Sequence, residues 1–285
     1  MILESILGME LKKPIHLFLT GIVFSTIAVF LSQSLFPHSP SMVMIMFLTI
    51  PCIYVFTNIL KKKSVSESKI KSLKELFDVN SDIVEMYVIL FLGMVFGLSF
   101  WFSVLPQDVV NGVFAEQLYS LRAINPTLGA FTTNSALSIV SLNNMKLVVL
   151  CTIMSFLFGA GSLFILSWNA SVIAAAIGIV IRKIQLGGIS LPMSMLKGFP
   201  IAASYYMLHL IPEISAYFIA AVAGAMISSA MMRYKPFSET SKKIILISLG
   251  LIVISLALIF IGALIEVNVS YFIQKSIFLK TRNTK

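Results

Sequence analysis

Long runs of apolar residues alternate with short polar segments along almost the whole chain. A helix needs about 20 apolar residues to cross the roughly 30 Å hydrocarbon layer of a membrane. Runs near this length cover residues 15–36, 42–60, 86–105, 147–166 with a continuation over 169–181, 199–232 with an interruption at 212, and 244–265. The pattern predicts an all-α, polytopic transmembrane helical bundle with about six spans, plus or minus one. The interruptions predict broken or re-entrant helices.

Two longer polar segments separate these runs and have a helical periodicity of their own. In residues 61–82, Ile70, Leu73 and Phe77 recur at helical spacing, which predicts a short amphipathic helix on the membrane surface. In residues 106–146 the apolar side chains again share one helical face, namely Val109, Val110, Val113, Phe114, Leu118 and Leu121. We predict a second interfacial helix there, and a single integral membrane domain over residues 1–285.

The composition supports a membrane protein. Hydrophobic residues make up 58% of the chain and charged residues only 12%, against about 25% charged residues in soluble domains. The net charge of +9 is spread over short clusters between apolar runs. Such clusters orient spans, whereas a nucleic-acid surface needs one basic patch, so we predict no nucleic-acid partner. Cys52 and Cys151 lie inside apolar runs and are interpreted as small core residues.

The distribution of lysine and arginine predicts the orientation of most of the chain. By the positive-inside rule, Lys12-Lys13, the six lysines of residues 61–74 and Arg182-Lys183 belong on the cytoplasmic side. The N-terminus and residues 61–82 are therefore expected to be cytoplasmic in a multi-pass cell-membrane protein. Residues 106–146 carry few basic residues and are expected to be extracytoplasmic. In the last third the rule does not decide, because Arg233, Lys235, Lys242 and Lys243 are balanced by Lys275, Lys280, Arg282 and Lys285.

Three residues interrupt the apolar stretch YMLHLIPEISAYFIAAVAGAMIS at positions 206–228: His209, Pro212 and Glu213. A carboxylate within a span costs about 2.5–3.5 kcal/mol on insertion scales. Pro212 removes a backbone donor, which predicts a kink, a re-entrant turn, or a helix start with Glu213 at its second position. His209 and Glu213 then satisfy loosened backbone groups, handle protons or ions, or contact a partner or a lipid headgroup.

Two further polar residues belong with this candidate site. Glu266 follows an apolar run, either at the membrane interface or in one polar cluster with His209 and Glu213. One histidine and two distant glutamates are a weak basis for a zinc site, so we predict no metal and no other cofactor. Asn169 lies at the join of two apolar pieces, where it caps the second piece of a broken helix or marks an ordinary kink.

A ridge of small residues follows Glu213 at intervals of four, formed by Ala216, Ala220, Gly224 and Ser228. Small side chains at this spacing let two membrane helices approach closely. The ridge predicts packing within the chain or, as the alternative, a homodimer contact. No G-x-S-x-G motif, P-loop or H-E-x-x-H motif occurs in the sequence, and we expect no enzymatic activity.

The residues from Ser141 to Gly178 resemble the core of the stage II sporulation protein M family. The matching features are Asn143-Asn144 before a span, Gly159 and Gly161 in the stretch Phe158–Gly161, which is similar to the family's F-x-G-x-G pattern, and Asn169-Ala170. The stretch HLIPE is similar to the family's His-Gly-x-Pro-Glu segment, with Leu210 in place of the glycine, and Ala170 stands where glycine is frequent. The stretch ALIEV also fits, and the layout of residues 3–63 is similar to the archaeal branch.

The resemblance implies a polytopic membrane protein without known catalysis. Bacterial members of the family act in an envelope-remodelling complex that anchors cell-wall hydrolases during engulfment. For this chain the resemblance implies a non-enzymatic membrane scaffold or envelope-remodelling component. The expected partners are membrane lipids and a second copy or other membrane or envelope proteins. The alternative is a transporter or lipid-translocating protein that uses the His209–Glu213 site.

Overall fold

A computed structural model describes residues 14–67, 73–128, 133–158, 161–235 and 238–270. Within these ranges all regular structure is helical and no strand occurs, which confirms the predicted fold class. The elements are α1 (Pro14–Leu35), α2 (Pro40–Glu67), α3 (Leu73–Val104), α4 (Gln107–Val113), α5 (Ala115–Leu128), α6 (Thr133–Phe158), α7 (Ser162–Leu186), α8 (Leu191–Arg233), α9 (Glu239–Ile265) and a π-helix (Glu266–Ser270).

Six helices in the described ranges are long and apolar enough to cross a membrane. Their spans are Pro14–Leu35, Glu85–Val104, Leu137–Phe158, Ser162–Leu186, Leu208–Arg233 and Glu239–Asn268. The number agrees with the sequence prediction, but the set differs. The predicted span over 42–60 lies within the 28-residue helix α2, of which Pro40–Val55 is the described apolar part, and the predicted run over 147–181 is two spans rather than one.

The break between these two spans lies between Phe158 and Ser162 and not at Asn169. Residue 161 must be small, because a Cβ on Gly161 would lie 2.9 Å from the carbonyl oxygen of Met154. Asn169 lies within α7, and its side-chain amide donates to the carbonyl of Ile165 at 2.9 Å. The prediction that Asn169 caps a second helical piece was therefore wrong, because its amide is occupied by its own helix.

Helix α8 continues through Pro212, and also through Pro200, without interruption. The re-entrant turn and the helix start predicted at Pro212 are both wrong. A proline removes one hydrogen bond, and membrane helices tolerate that loss because neighbouring helices satisfy the freed group. The chain consequently crosses once over Leu208–Arg233 and does not form a hairpin there.

Helices α1 and α3 pack in parallel at close range. Ser25 donates to the carbonyl of Met94 at 3.2 Å, and Trp101 donates to Thr26 at 3.0 Å, so residue numbers rise together along both helices. Because α1 and α3 end at the same end of the bundle, α2 must run back between them. Pro40 at the start of α2 lies beside Gly112 of α4, next to the end of α3.

The end of α7 lies at this same end, which we call the Arg182 end. Arg182 donates to the carbonyls of Phe102 and Leu105 and to the side chain of Gln107. The guanidinium thereby satisfies carbonyls left free where α3 terminates. By the positive-inside rule, Arg182 and the segment after α3 had been predicted on opposite sides of the membrane. That placement was wrong, because the split between α6 and α7 adds one crossing before Arg182.

Helices α8 and α9 complete the bundle in opposite directions. Phe199 contacts Phe96 with ring centroids 5.3 Å apart, while Phe218 stacks on Tyr87 at 5.1 Å, so α8 runs antiparallel to α3. Arg233 therefore lies at the opposite end, which we call the Arg233 end. Helix α9 returns, and the π-helix lies at the Arg182 end. The charge rule had left this choice open, and residues 271–285 lie outside the described residues.

The second polar segment packs into the bundle. Val110, Val113 and Phe114 on α4 and the turn after it are fully buried, so their apolar face packs against protein. Gln117 of α5 is also buried, accepts a bond from Ser41 at 2.9 Å and donates to Ser171 at 3.0 Å. Residues 61–67 extend α2 and residues 73–82 begin α3, whereas residues 68–72, including Ile70, lie outside the described residues.

We predict that Gly93→Ala destabilises the protein, because a Cβ on Gly93 would collide with the carbonyl oxygen of Phe18 in α1. Overpacking of this kind costs about 1–3 kcal/mol. The free energy of unfolding in detergent measures the loss. Gly250→Ala is the matched control, since no atom lies within 4 Å of a Cβ at that position. Equal stability of the two variants would contradict the parallel α1–α3 contact.

We also predict that Ser190 and Lys235 lie on opposite sides of the membrane. Single cysteines at these exposed positions should react with a membrane-impermeant maleimide from different sides of sealed vesicles. The parent protein provides the background, because Cys52 and Cys151 are buried. Labelling of both positions from one side would show that α8 does not cross.

Candidate functional site

Helix α8 places His209 and Glu213 four residues apart, one turn of helix, against helix α9. Both side chains are only 6% exposed. The space for the carboxyl group depends on Gly262 of α9, where a Cβ would lie 2.7 Å from Cγ of Glu213 and 3.3 Å from the carbonyl oxygen of His209. Any larger residue at 262 would displace the glutamate or separate the two helices.

Helix α6 also contacts the carboxyl group of Glu213. The amide nitrogen Nδ2 of Asn144 in α6 donates to Oε1 of Glu213 at 2.7 Å. The neighbouring Asn143 is exposed, so only one residue of the Asn-Asn pair faces inward. The sequence analysis noted Asn144 as a family residue and did not place it beside Glu213. The available signal was an amide in an apolar helix, which needs a partner when it is buried.

Glu266 lies directly after the end of α9, the helix that packs on Glu213. It opens the π-helix one turn after Gly262, and the π-helix contacts both α8 and α6. Gly262, four residues earlier on α9, packs directly on the Glu213 side chain. His209 and Glu213 thus meet α9 at Gly262, and Glu266 follows one helical turn later; a single cluster of all three stays a prediction.

Two tyrosines, which sequence reasoning missed, extend the cluster along α8. The rings of Tyr206 and His209 have centroids 6.4 Å apart. Tyr217 follows Glu213 by one turn and is buried. Pro212 lies on the same helix and is half-buried, whereas Asn169 is bonded within α7 and takes no part. Spacing of three and four residues from Tyr206 to Tyr217 is the signal that could have found both.

The cluster lies inside the membrane spans, on the Arg182 side of their middle. Glu213 is five residues after the start of the span Leu208–Arg233, and Glu266 is two residues before the end of Glu239–Asn268. The carboxyl groups therefore lie below the membrane surface, on the side where α3 and α7 end.

The arrangement joins helices and does not resemble a metal centre. Over the described ranges, no three His, Cys, Asp or Glu side chains are grouped closely enough to hold a metal ion. The contacts around Glu213 instead come from α6, α8 and α9. We call Asn144, His209, Glu213, Gly262 and Glu266 the polar knot.

The ridge of small residues continues from the polar knot along α8. Ala216 and Ala220 are fully buried, and Gly224 packs directly on the backbone of Thr152 and Phe156 in α6. Only Ser228 at its far end is partly exposed. The ridge therefore joins α8 to α6 within one chain, and it is not available as a contact with a second copy.

The family model for stage II sporulation protein M matches residues 86–271. The chain belongs to the stage II sporulation protein M family. The matched region contains every residue of the polar knot, and it begins in α3. Of the two family glycines, Gly161 forms the tight turn before α7, and Gly159 lies outside the described residues. No curated protein and no solved structure matches the chain significantly.

We predict that Asn144 and Glu213 are energetically coupled across α6 and α8. A double-mutant cycle with Asn144→Ala and Glu213→Ala should give about 0.6–1.7 kcal/mol, the range found for hydrogen bonds between membrane helices. The measurement is the free energy of unfolding in detergent. Asn143→Ala is the matched control, since its exposed amide should show no coupling to Glu213. A cycle energy near zero for Asn144 would contradict the bond.

Proposed function

We propose that this family member is a non-enzymatic integral membrane scaffold or membrane- or envelope-remodelling component. The observation that carries the proposal is the position of Glu213 between Asn144 of α6 and Gly262 of α9. The ionisable group best suited to chemistry is occupied in joining three helices. A buried, hydrogen-bonded group of this kind favours one defined arrangement of the helices that carry it.

The rigid helices present extensive apolar surfaces, as a scaffold in a membrane requires. Helices α6 and α9 expose large apolar side chains along their outer faces: Ile139, Leu142, Val149, Leu150, Ile153, Leu157, Leu246, Leu249, Val253, Ile254, Phe260 and Ile261. In a membrane such faces contact lipid or other spans. Membrane lipids and other membrane or envelope proteins are therefore the proposed partners.

We propose further that the N-terminus is cytoplasmic and that the protein belongs to the archaeal-type branch. Helix α1 begins at the Arg233 end, where Arg233, Lys235, Lys242 and Lys243 flank the loop between α8 and α9. Basic residues beside spans favour the cytoplasmic side. The branch proposal rests on the layout of residues 3–63, which precede the region matched by the family model.

A homodimer is part of the proposal, with its contact on the outer face of α9. The small-residue ridge is used within the chain, so a second copy must bind elsewhere. Helix α9 offers an apolar face without charged residues between Lys243 and Glu266. Two such faces pack without burying an unpaired charge.

The second candidate function is transport of an ion or translocation of a lipid through the polar knot. One observation favours it: Glu266, beside Glu213, opens a π-helix, a form found frequently at functional sites. Two carboxyl groups and a histidine near one membrane surface are also suited to exchanging protons with that side.

The variant Glu213→Gln separates the two functions. Glutamine retains an oxygen that accepts from Asn144, but it cannot ionise. For a scaffold we expect the variant to keep the wild-type mass in lipid nanodiscs, that of a dimer. We also expect neither protein to move protons or fluorescent lipids faster than empty liposomes under imposed gradients.

Glu213→Leu provides the contrasting control, because it leaves the Asn144 amide without an acceptor and should weaken the assembly. The scaffold proposal is overturned if wild-type protein produces a flux that Glu213→Gln abolishes while the variant stays folded. A monomeric mass for the wild type would refute only the dimer.

A further inference from the structure

A lysine lies in the middle of an exposed membrane span. Lys146 is nine residues after the start of Leu137–Phe158 and twelve residues before its end. Asn144, two residues earlier, faces the polar knot, whereas Lys146 is exposed on the outer side of α6. A charge at this depth is costly unless it finds a counter-charge or reaches the membrane surface.

The described part of the protein provides no counter-charge for Lys146. The one ion pair recorded there joins Lys242 and Glu239, at the far end of the bundle. Helix α6 contains no aspartate or glutamate, and Glu213 is buried on its opposite side. Within the described residues, the ammonium group is therefore left for an external anion to neutralise.

The surface around Lys146 is polar toward the start of α6 and apolar toward its end. Asn143 is exposed one turn toward the start of α6. On the other side a shallow groove includes Lys146 itself and runs along Leu142, Met145, Val149, Leu150 and Ile153. Side chains on a helix lean toward its N-terminus, so the ammonium group extends toward the Arg182 end and its membrane surface. A phospholipid has this same order, with its phosphate at the surface and its acyl chain below.

A second copy fits this face less well than a lipid. In a two-fold dimer the same patch meets itself, so two Lys146 side chains would approach each other. No carboxylate on α6 is present to separate them. Two like charges in a medium of low dielectric constant repel strongly. The unpaired positive charge instead complements a negatively charged lipid headgroup.

We propose that Asn143, Lys146 and the α6 groove form a binding site for one anionic phospholipid. The phosphate binds the Lys146 ammonium and the Asn143 amide, and an acyl chain occupies the groove along Val149, Leu150 and Ile153. The site lies on the outer side of α6, opposite the polar knot. Its existence does not depend on whether the protein is a scaffold or a transporter.

Quenching of a groove tryptophan by brominated lipids tests the site. The reporter Leu150→Trp is reconstituted in vesicles containing brominated phosphatidylglycerol or brominated phosphatidylcholine, and the signal of Trp101 and Trp168 in the parent protein is subtracted. We expect phosphatidylglycerol to bind about fivefold more tightly, the effect ordinarily associated with one lysine near an anionic lipid. Lys146→Gln in the reporter protein should abolish the preference, and Lys146→Arg should retain it.

Lys197→Gln is the matched control, because it removes an exposed lysine from α8 at the same end of the bundle. This variant should keep the full preference. Equal binding of the two lipids by the reporter protein would overturn the proposal, as would a preference that persists in Lys146→Gln. Absence of quenching by either lipid would also overturn it, since a protein partner or second copy would then cover the groove.

Discussion

The hydrogen bond from Asn144 to Glu213 is the contact on which the C-terminal half of the bundle depends. The two residues are 69 positions apart in the sequence, and the bond joins Nδ2 on α6 to Oε1 on α8 over 2.7 Å. The absence of a side chain at Gly262 lets α9 approach the same carboxyl group. An unpaired polar group inside an apolar bundle costs free energy, and the bond removes that cost from both helices at once. The small-residue ridge then extends the α6–α8 contact from the polar knot toward the Arg233 end.

The region that matches the stage II sporulation protein M family is also the region that contains the polar knot. The family match begins in α3 and includes the three helices that the knot joins. The proposed scaffold has its polar residues inside and its apolar residues outside, as a protein that binds within the membrane needs. Lys146 is the exception on the outer surface, and its charge distinguishes α6 from the uncharged face of α9. The two proposed contacts, an anionic lipid on α6 and a second copy on α9, therefore use faces of different charge.

Most residues of the candidate site could be recognised from the local sequence, but their contacts with other helices could not be predicted from it. His209, Glu213 and Glu266 are recognisable because ionisable residues in apolar runs are costly. Asn144 could be seen as a family residue, but its pairing with Glu213 depends on how α6 lies against α8. Pro212 indicated a break that does not occur, since a proline's effect depends on neighbouring helices. Gln117, buried between Ser41 and Ser171, carried no local signal for its role.

The apolar periodicity alone was enough to establish an all-helical membrane bundle of about the observed number of spans, because span length follows directly from membrane thickness. Helix direction needed the three-dimensional contacts. The bonds from Arg182 to the end of α3 and the antiparallel packing of α8 on α3 place Arg182 and Arg233 at opposite ends. Charge counting left that last crossing undecided, since four basic residues stood on each side. The physical reason is that hydrophobicity is a property of each segment, whereas pairing and direction are properties of the assembled set.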